Sequence, residues 1–201
     1  SKHVFYDGSD KPDTDRDILW RHQIAIAGRI IDRARFDRDL ARHAASCQAM
    51  VLSLSRFVGF EGDYCIIRTR NEELALKVRC VVAADGGRSA VASSMGLEKL
   101  ALGYGIQVET PLARPEHKIR LFFCKDFFGG YGWLFPKGKV ANVGVGVVLR
   151  KCVRPARLLE RLLEWLRSSD MILPGMLAHH RGMVPFCGLR PRVVQEHVIF
   201  C

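Results

Sequence analysis

No apolar run in this 201-residue chain approaches the length of a bilayer span, and no charged-then-apolar leader opens it. The sequence therefore supports neither a membrane-crossing helix nor secretion. CxxC pairs are absent too: Cys47, Cys65, Cys80, Cys124, Cys152, Cys187 and Cys201 stand singly, mostly within apolar runs. That scatter argues against a disulfide framework and predicts buried free thiols in a reducing cytoplasm. His179-His180 is the only adjacent histidine pair and has no acidic or thiol ligand nearby, so no metal is expected. Internal repeats are lacking as well.

What remains is ordinary globular material, 48% hydrophobic and 26% charged, long enough for one large domain or two small ones. A net charge of +10 raises the question of nucleic acid. Yet Asp32, Arg33, Arg35, Asp37, Arg38, Asp39 and Arg42 alternate in sign, which suits intrahelical pairs on a solvated face better than a phosphate-binding stripe. Nucleic acid is therefore not the expected partner. Arg150, Lys151, Arg154, Arg157 and Arg161 are more one-sided, and peripheral contact with an acidic membrane surface is the reading they leave open.

The spacing of Phe36, Leu40 and Ala44 predicts a helix over 35–45 with one buried face, Asp32 at its N-cap. Strands are expected at 50–57, 63–69 and 74–84, the last amphipathic at first and then all apolar, as in a strand that enters a doubly covered sheet. A β-like piece is also expected at Gln23–Ala27. Ala90 to Met95 reads as a short helix stopped by Gly96. Strands follow at 100–109 and 118–124. Pro155 opens a strong helix with Leu159, Leu162, Leu163 and Leu166 on one stripe, and two last β-like pieces surround Val184 and Val193.

Between them, Gly129 to Val147 reads GGYGWLFPKGKVANVGVGV. Tyr131, Trp133 and Phe135 alternate with smaller residues up to Pro136, and Val143, Val145 and Val147 alternate with Asn142, Gly144 and Gly146. This is the pattern of a β-hairpin with a Lys137-Gly138 turn. An aromatic row beside a glycine floor suits a flat or long apolar ligand. Equally, glycines in strands can simply make room for bulky neighbours.

Two smaller signals precede the hairpin. Ala84-Asp85-Gly86-Gly87-Arg88-Ser89 follows an apolar strand, where open α/β sheets bind ligands. There Asp85 could accept from ribose or ribityl hydroxyls, and amides of the next helix could face a phosphate. A plain strand-to-helix turn would use the same residues. Arg33 stands at the start of its helix, where a guanidinium does not complement the dipole, so a specific anionic or carbonyl partner would explain it better.

The order Arg33-x-x-Phe36-Asp37-x-x-Leu40, ADGGRS, GYGWLFP and NVGVG resembles the geranylgeranyl reductases, FAD-dependent oxidoreductases of the para-hydroxybenzoate hydroxylase superfamily. The resemblance runs roughly from Arg29 to Val194. It implies an α+β fold: a partial α/β FAD-binding domain at 1–99, an antiparallel substrate-binding sheet with a covering helix at 100–190, and a return strand at 191–201. It further implies that Arg33, Phe57, Asp85 and Gly86 contact FAD, and that Tyr131, Trp133, Phe135, Gly144 and Gly146 line a site for a polyprenyl chain. The implied reaction reduces C=C bonds of an isoprenoid lipid, with NAD(P)H or another reductant as electron donor. No residue is indicated as a proton donor.

The chain departs from the family at its ends. Gly103-x-Gly105, Gly130-x-Gly132 and Gly144-x-Gly146 all lack the third glycine of G-x-G-x-x-G, and the late Gly-Asp motif would follow Cys201. The expectation is a fragment of a longer protein, inactive by itself. An FAD-dependent aromatic monooxygenase and a non-catalytic apolar-ligand-binding module remain the alternatives. A cytoplasmic protein, able to associate with membranes, is the expected setting.

Overall fold

A computed structural model describes residues 20–22, 30–123, 127, 129–148, 154–186, 188, 190 and 192–201. The β-like piece expected at Gln23–Ala27, the thiols of Cys124, Cys152 and Cys187, and Arg150-Lys151 lie outside the described residues. The chain divides into two compact units, one of residues 1–31 and 103–184, the other of residues 32–102 and 185–201. Helices and mostly antiparallel sheets give it the α+β fold.

The first unit is built on a six-stranded sheet. Its strands are β1 (Trp20–His22), β6 (Leu102–Pro111), β7 (Arg120–Phe123), β8 (Tyr131–Lys137), β9 (Val140–Val147) and β10 (Ala178–Pro185), in the order β1-β7-β8-β9-β6-β10. The period-two pattern of the hairpin decides which face is buried. Val143, Val145, Val147 and Leu134 are fully inaccessible, and Val143, Val145 and Leu134 share a core with Leu159, Leu162, Leu163 and Leu166 of helix α3 (Pro155–Ser168). Each such aliphatic side chain stabilises the fold by about 1.5–3 kcal/mol when fully buried. Gly132 lets the helix close in, because a Cβ there would stand 2.9 Å from Leu162 Cδ2. The strand runs one residue further than Pro136: the turn is Gly138-Lys139, with Gly138 at φ +69°, a two-residue hairpin loop that needs a left-handed residue. Pro136 is tolerated because it lies beyond Leu134, the last residue of β8 paired with β7.

The second unit holds helix α1 (Arg33–Ser46), the antiparallel strands β2 (Arg56–Glu61), β3 (Tyr64–Arg68) and β4 (Glu73–Lys77), and a separate sheet. In that sheet β5 (Val81–Ala83) pairs parallel with β12 (Val198–Phe200), which also pairs with β11 (Val194–Gln195). Helix α2 (Ala90–Ser94) packs Val91 and Ala92 against Ala83, Val198 and Phe200, and Gly96 follows it at φ +68°.

Several expectations are corrected here. The run at 50–57 is not a strand, because Leu54 turns the chain at φ +55°, so Phe57 falls near the start of β2 rather than at a strand's end. The strand expected at 74–84 is two strands in different sheets, and the switch from amphipathic to all-apolar sequence marks the boundary between them. Nor is β5 covered on both faces by described residues, since Val82 is 60% exposed. Helix α1 has the expected N-cap, Asp32 accepting from Arg35 N–H, and the expected intrahelical pairs Arg33–Asp37, Arg35–Asp39 and Arg42–Asp39. It buries no residue, however: Phe36 and Leu40 have no cover among the described residues and stay exposed. Of the described thiols only Cys65 is buried; Cys47, Cys80 and Cys201 sit at a helix end, in a loop and at the end of a strand, and are exposed.

Candidate functional site

The face of the first unit's sheet away from α3 carries the aromatic row. Tyr131, Trp133 and Phe135 project there from β8, with Tyr131–Trp133 centroids 5.9 Å apart and edge-on, and Trp133–Phe135 also 5.9 Å apart but stacked. Phe123 of β7 extends the row, 6.0 Å from Tyr131. Tyr131 is 40% exposed and Trp133 and Phe135 are half-buried, so the rings present apolar surface that the described residues do not cover.

The glycine floor beside them serves two purposes. Gly144 stands in register with Trp133 on one side and with Gln107 of β6 on the other. A Cβ on Gly144 would stand 2.4 Å from Trp133 Cζ2 and 2.6 Å from Gln107 Cβ. Its missing side chain is the space the indole occupies, so here the glycine does make room for a bulky neighbour. Gly146 and Gly105, paired with each other, are more open: the nearest ring atoms would lie 3.4 Å and 3.9 Å from their added Cβ atoms. Bare backbone therefore adjoins Tyr131 and the edge of Trp133. Beyond the rings the face turns polar, with Lys137 Nζ 3.0 Å from Glu109 Oε2.

The residues expected to contact a cofactor lie in the second unit. Arg33 finds its anionic partner within its own helix, donating from Nε and Nη2 to the Asp37 carboxylate at 3.2 and 3.1 Å. Phe57 packs edge-on against Phe60 at 5.0 Å. Asp85 Oδ2 accepts from the backbone N–H groups of Ala90 and Val91 at 2.7 and 3.3 Å, and Ser89 Oγ accepts from Ala92 N–H. The first amides of α2 are thus satisfied by the protein's own capping groups and do not face outward for a phosphate, as the sequence suggested they could. Gly86 adopts φ +81° with open space where a Cβ would stand, a conformation that favours glycine. A cavity of about 420 Å³ lies nearby, lined by Gly87, Ser89, Leu97, Leu100, Leu102 and Arg190. Among the described residues no group of three or more His, Cys, Asp or Glu is placed to hold a metal ion.

Sequence reasoning missed Gln107 and Gly105. Only the β6–β9 register brings them to the aromatic row, and nothing in their local sequence announces that neighbour.

At the sheet's other side the Glu116 carboxyl is displaced in its titration. Burial alone would raise it, but the Arg120 guanidinium, the backbone N–H groups of Lys118 and His117, and the Arg120 charge together hold it below the usual carboxylate range. A depressed folded-state pKa stabilises the fold above the unfolded value of about 4.3, and that contribution is lost as pH falls through the lower folded value. Glu116→Gln should therefore cost about 1 kcal/mol at neutral pH. In urea titrations the gap to wild type should narrow below about pH 4; a gap that stays constant would refute the ion-pair account.

The fold is one shared by proteins that include a flavin-dependent enzyme. It superposes on a geranylgeranyl bacteriochlorophyll reductase-like protein from Thermoplasma acidophilum with a TM-score of 0.73 at 22% identity, over 88% of this chain and 49% of that one. It superposes on the flavin-dependent halogenase CmlS with a TM-score of 0.56 at 17% identity, over 85% of this chain and 34% of that one. Residues 103–177, which contain the aromatic hairpin, match the geranylgeranyl reductase catalytic domain. The digeranylgeranylglycerophospholipid reductase of Methanocaldococcus jannaschii is 34% identical over 71% of this chain and 38% of its own length. That of Methanocella arvoryzae is 31% identical over 83% of this chain and 45% of its own. The chain belongs to the geranylgeranyl reductase family. It spans less than half the length of these curated relatives, 38% in the first and 45% in the second.

Proposed function

We propose that this chain carries the substrate-holding sheet of an FAD-dependent oxidoreductase that reduces C=C bonds of a polyprenyl lipid, with NAD(P)H or another reductant as electron source. The observation that carries the reading is the row Tyr131, Trp133 and Phe135, left partly uncovered by the described residues on the face of the sheet away from α3, inside the segment matched by the catalytic domain. Rings of this size offer large apolar contact area at little entropic cost, and the bare backbone at Gly105 and Gly146 admits a chain close to the sheet. The row orients the alkene and keeps water from it.

FAD, when bound, would supply the hydride. Asp85 and Gly86 are compatible with holding it: both are exposed, and Gly86 has no Cβ to obstruct a close approach. Arg33 and Phe57 are proposed as further contacts. In this reading residues 1–99 form the cofactor-binding portion, 100–190 hold the substrate and 191–201 return to the cofactor-binding portion.

The test is binding of geranylgeraniol to the full chain, followed by isothermal titration calorimetry. Trp133→Ala should weaken it at least about tenfold, the scale of a central aromatic anchor, and leave far-ultraviolet circular dichroism unchanged. Undiminished affinity in that variant would exclude the aromatic row as the substrate wall.

A further inference from the structure

We propose that Gln107 is a positioning residue of the aromatic wall: it holds the Trp133 indole flat across the sheet and thereby fixes the apolar surface offered to a ligand. The inference rests on reading that wall as the polyprenyl-binding face. Trp133 and Gln107 belong to strands that do not pair with each other, β8 and β6, with β9 between them. Both stand in register with Gly144. Because Gly144 has no side chain, the indole reaches over β9, and Trp133 Nε1–H donates to Gln107 Oε1 at 3.2 Å.

The chemistry of the two groups makes this contact directional. An indole N–H only donates, so the glutamine must turn its carbonyl oxygen inward and leave its amide NH2 for other partners. The remaining contacts of the ring are apolar and non-directional: Phe135 stacked on one side, Tyr131 edge-on at the other, and the positions of Gly146 and Gly105 beneath its far edge. None of these fixes the ring's rotation about its own bonds. The hydrogen bond does, and it also satisfies the only polar atom of a half-buried side chain. Without it the indole is free to swing off the glycine, and a ligand must then order the ring as it binds.

Two variants separate this role from a merely structural one. Gln107→Leu keeps the size of the side chain and removes the acceptor, while Gln107→Glu keeps an acceptor. The first readout is the Trp133 indole N–H resonance in a 1H–15N spectrum of the full chain, assigned by its disappearance in Trp133→Phe. It should move, and its hydrogen exchange should quicken, in Gln107→Leu, and remain protected in Gln107→Glu. The second readout is the affinity for geranylgeraniol, which should fall about three- to tenfold in Gln107→Leu, the scale of one net hydrogen bond, and recover in Gln107→Glu. An unmoved resonance in Gln107→Leu overturns the positioning role. A moved resonance with undiminished affinity overturns its bearing on the ligand. Failure of the wild-type chain to bind geranylgeraniol overturns the polyprenyl reading itself, and the resonance still decides whether Gln107 holds Trp133.

Discussion

Gly130→Ala is expected to destabilise the chain by more than about 3 kcal/mol, at or beyond the upper end of ordinary overpacking. An added Cβ at Gly130 would stand 1.7 Å from the carbonyl oxygen of Gly146, 2.6 Å from its carbonyl carbon and 3.0 Å from Val147 Cα. All three are backbone atoms of β9. That strand cannot retreat, because it is hydrogen-bonded to β8 on one side and β6 on the other, and Val143, Val145 and Val147 anchor it in the core. Gly130 cannot move away easily either: its N–H donates to Phe127 O at 2.9 Å, and Phe127 is itself buried. Gly59→Ala supplies the control. It sits in β2 with nothing within 4 Å of an added Cβ, so its effect should stay within about 1 kcal/mol, as for glycine exchanged where no strain results. Urea denaturation of the two variants decides the matter. Equal midpoints would mean that the start of β8 does not approach β9 as closely as the structure has it.

The elements whose pattern is local were legible in the sequence. Helix α3 is written in Pro155 and four leucines at helical spacing, and all four are buried. The hairpin is written in two alternating runs, and which residues share a face follows from them, although the turn falls one residue later than the sequence indicated. The elements read wrongly are those whose state depends on distant partners. Phe36, Leu40 and Ala44 make a helical stripe whether or not anything covers it, so periodicity predicted the helix but not its exposure. The apolar run 74–84 hid a change of sheet, because each half is a good strand in its own surroundings. The candidate site divides the same way. The aromatic row was visible because Tyr131, Trp133 and Phe135 lie on one strand. Gln107 was not, because 26 residues separate it from Trp133 and only the β6–β9–β8 register joins them. Asp85 shows the converse limit: the residues that suit a ligand turn also suit a capped helix start, and the structure has Asp85 capping α2.

The second large effect concerns the hairpin's glycine and depends on the ring above it. Gly144→Ala should destabilise the chain by about 2–3 kcal/mol. The new methyl group meets the six-membered edge of Trp133 at 2.4 Å on one side and the Cβ of Gln107 at 2.6 Å on the other. The indole can swing away only by giving up its hydrogen bond to Gln107 and its stacking on Phe135. The Gln107 Cβ cannot move without strand β6. In a Trp133→Ala background the first contact is gone and the second remains, so the same methyl group should cost less there without becoming neutral. The double-mutant cycle should therefore show a coupling of about 1–2 kcal/mol between positions 133 and 144, within the range for side chains in direct contact. Urea denaturation of the two single variants, the double variant and the wild type measures it. Strict additivity would mean that the indole does not lie over Gly144. A coupling of the expected size, together with loss of geranylgeraniol binding in Gly144→Ala, would join the two uses of this glycine. By yielding its space to Trp133, Gly144 sets the ring in the pose that a long apolar chain would meet.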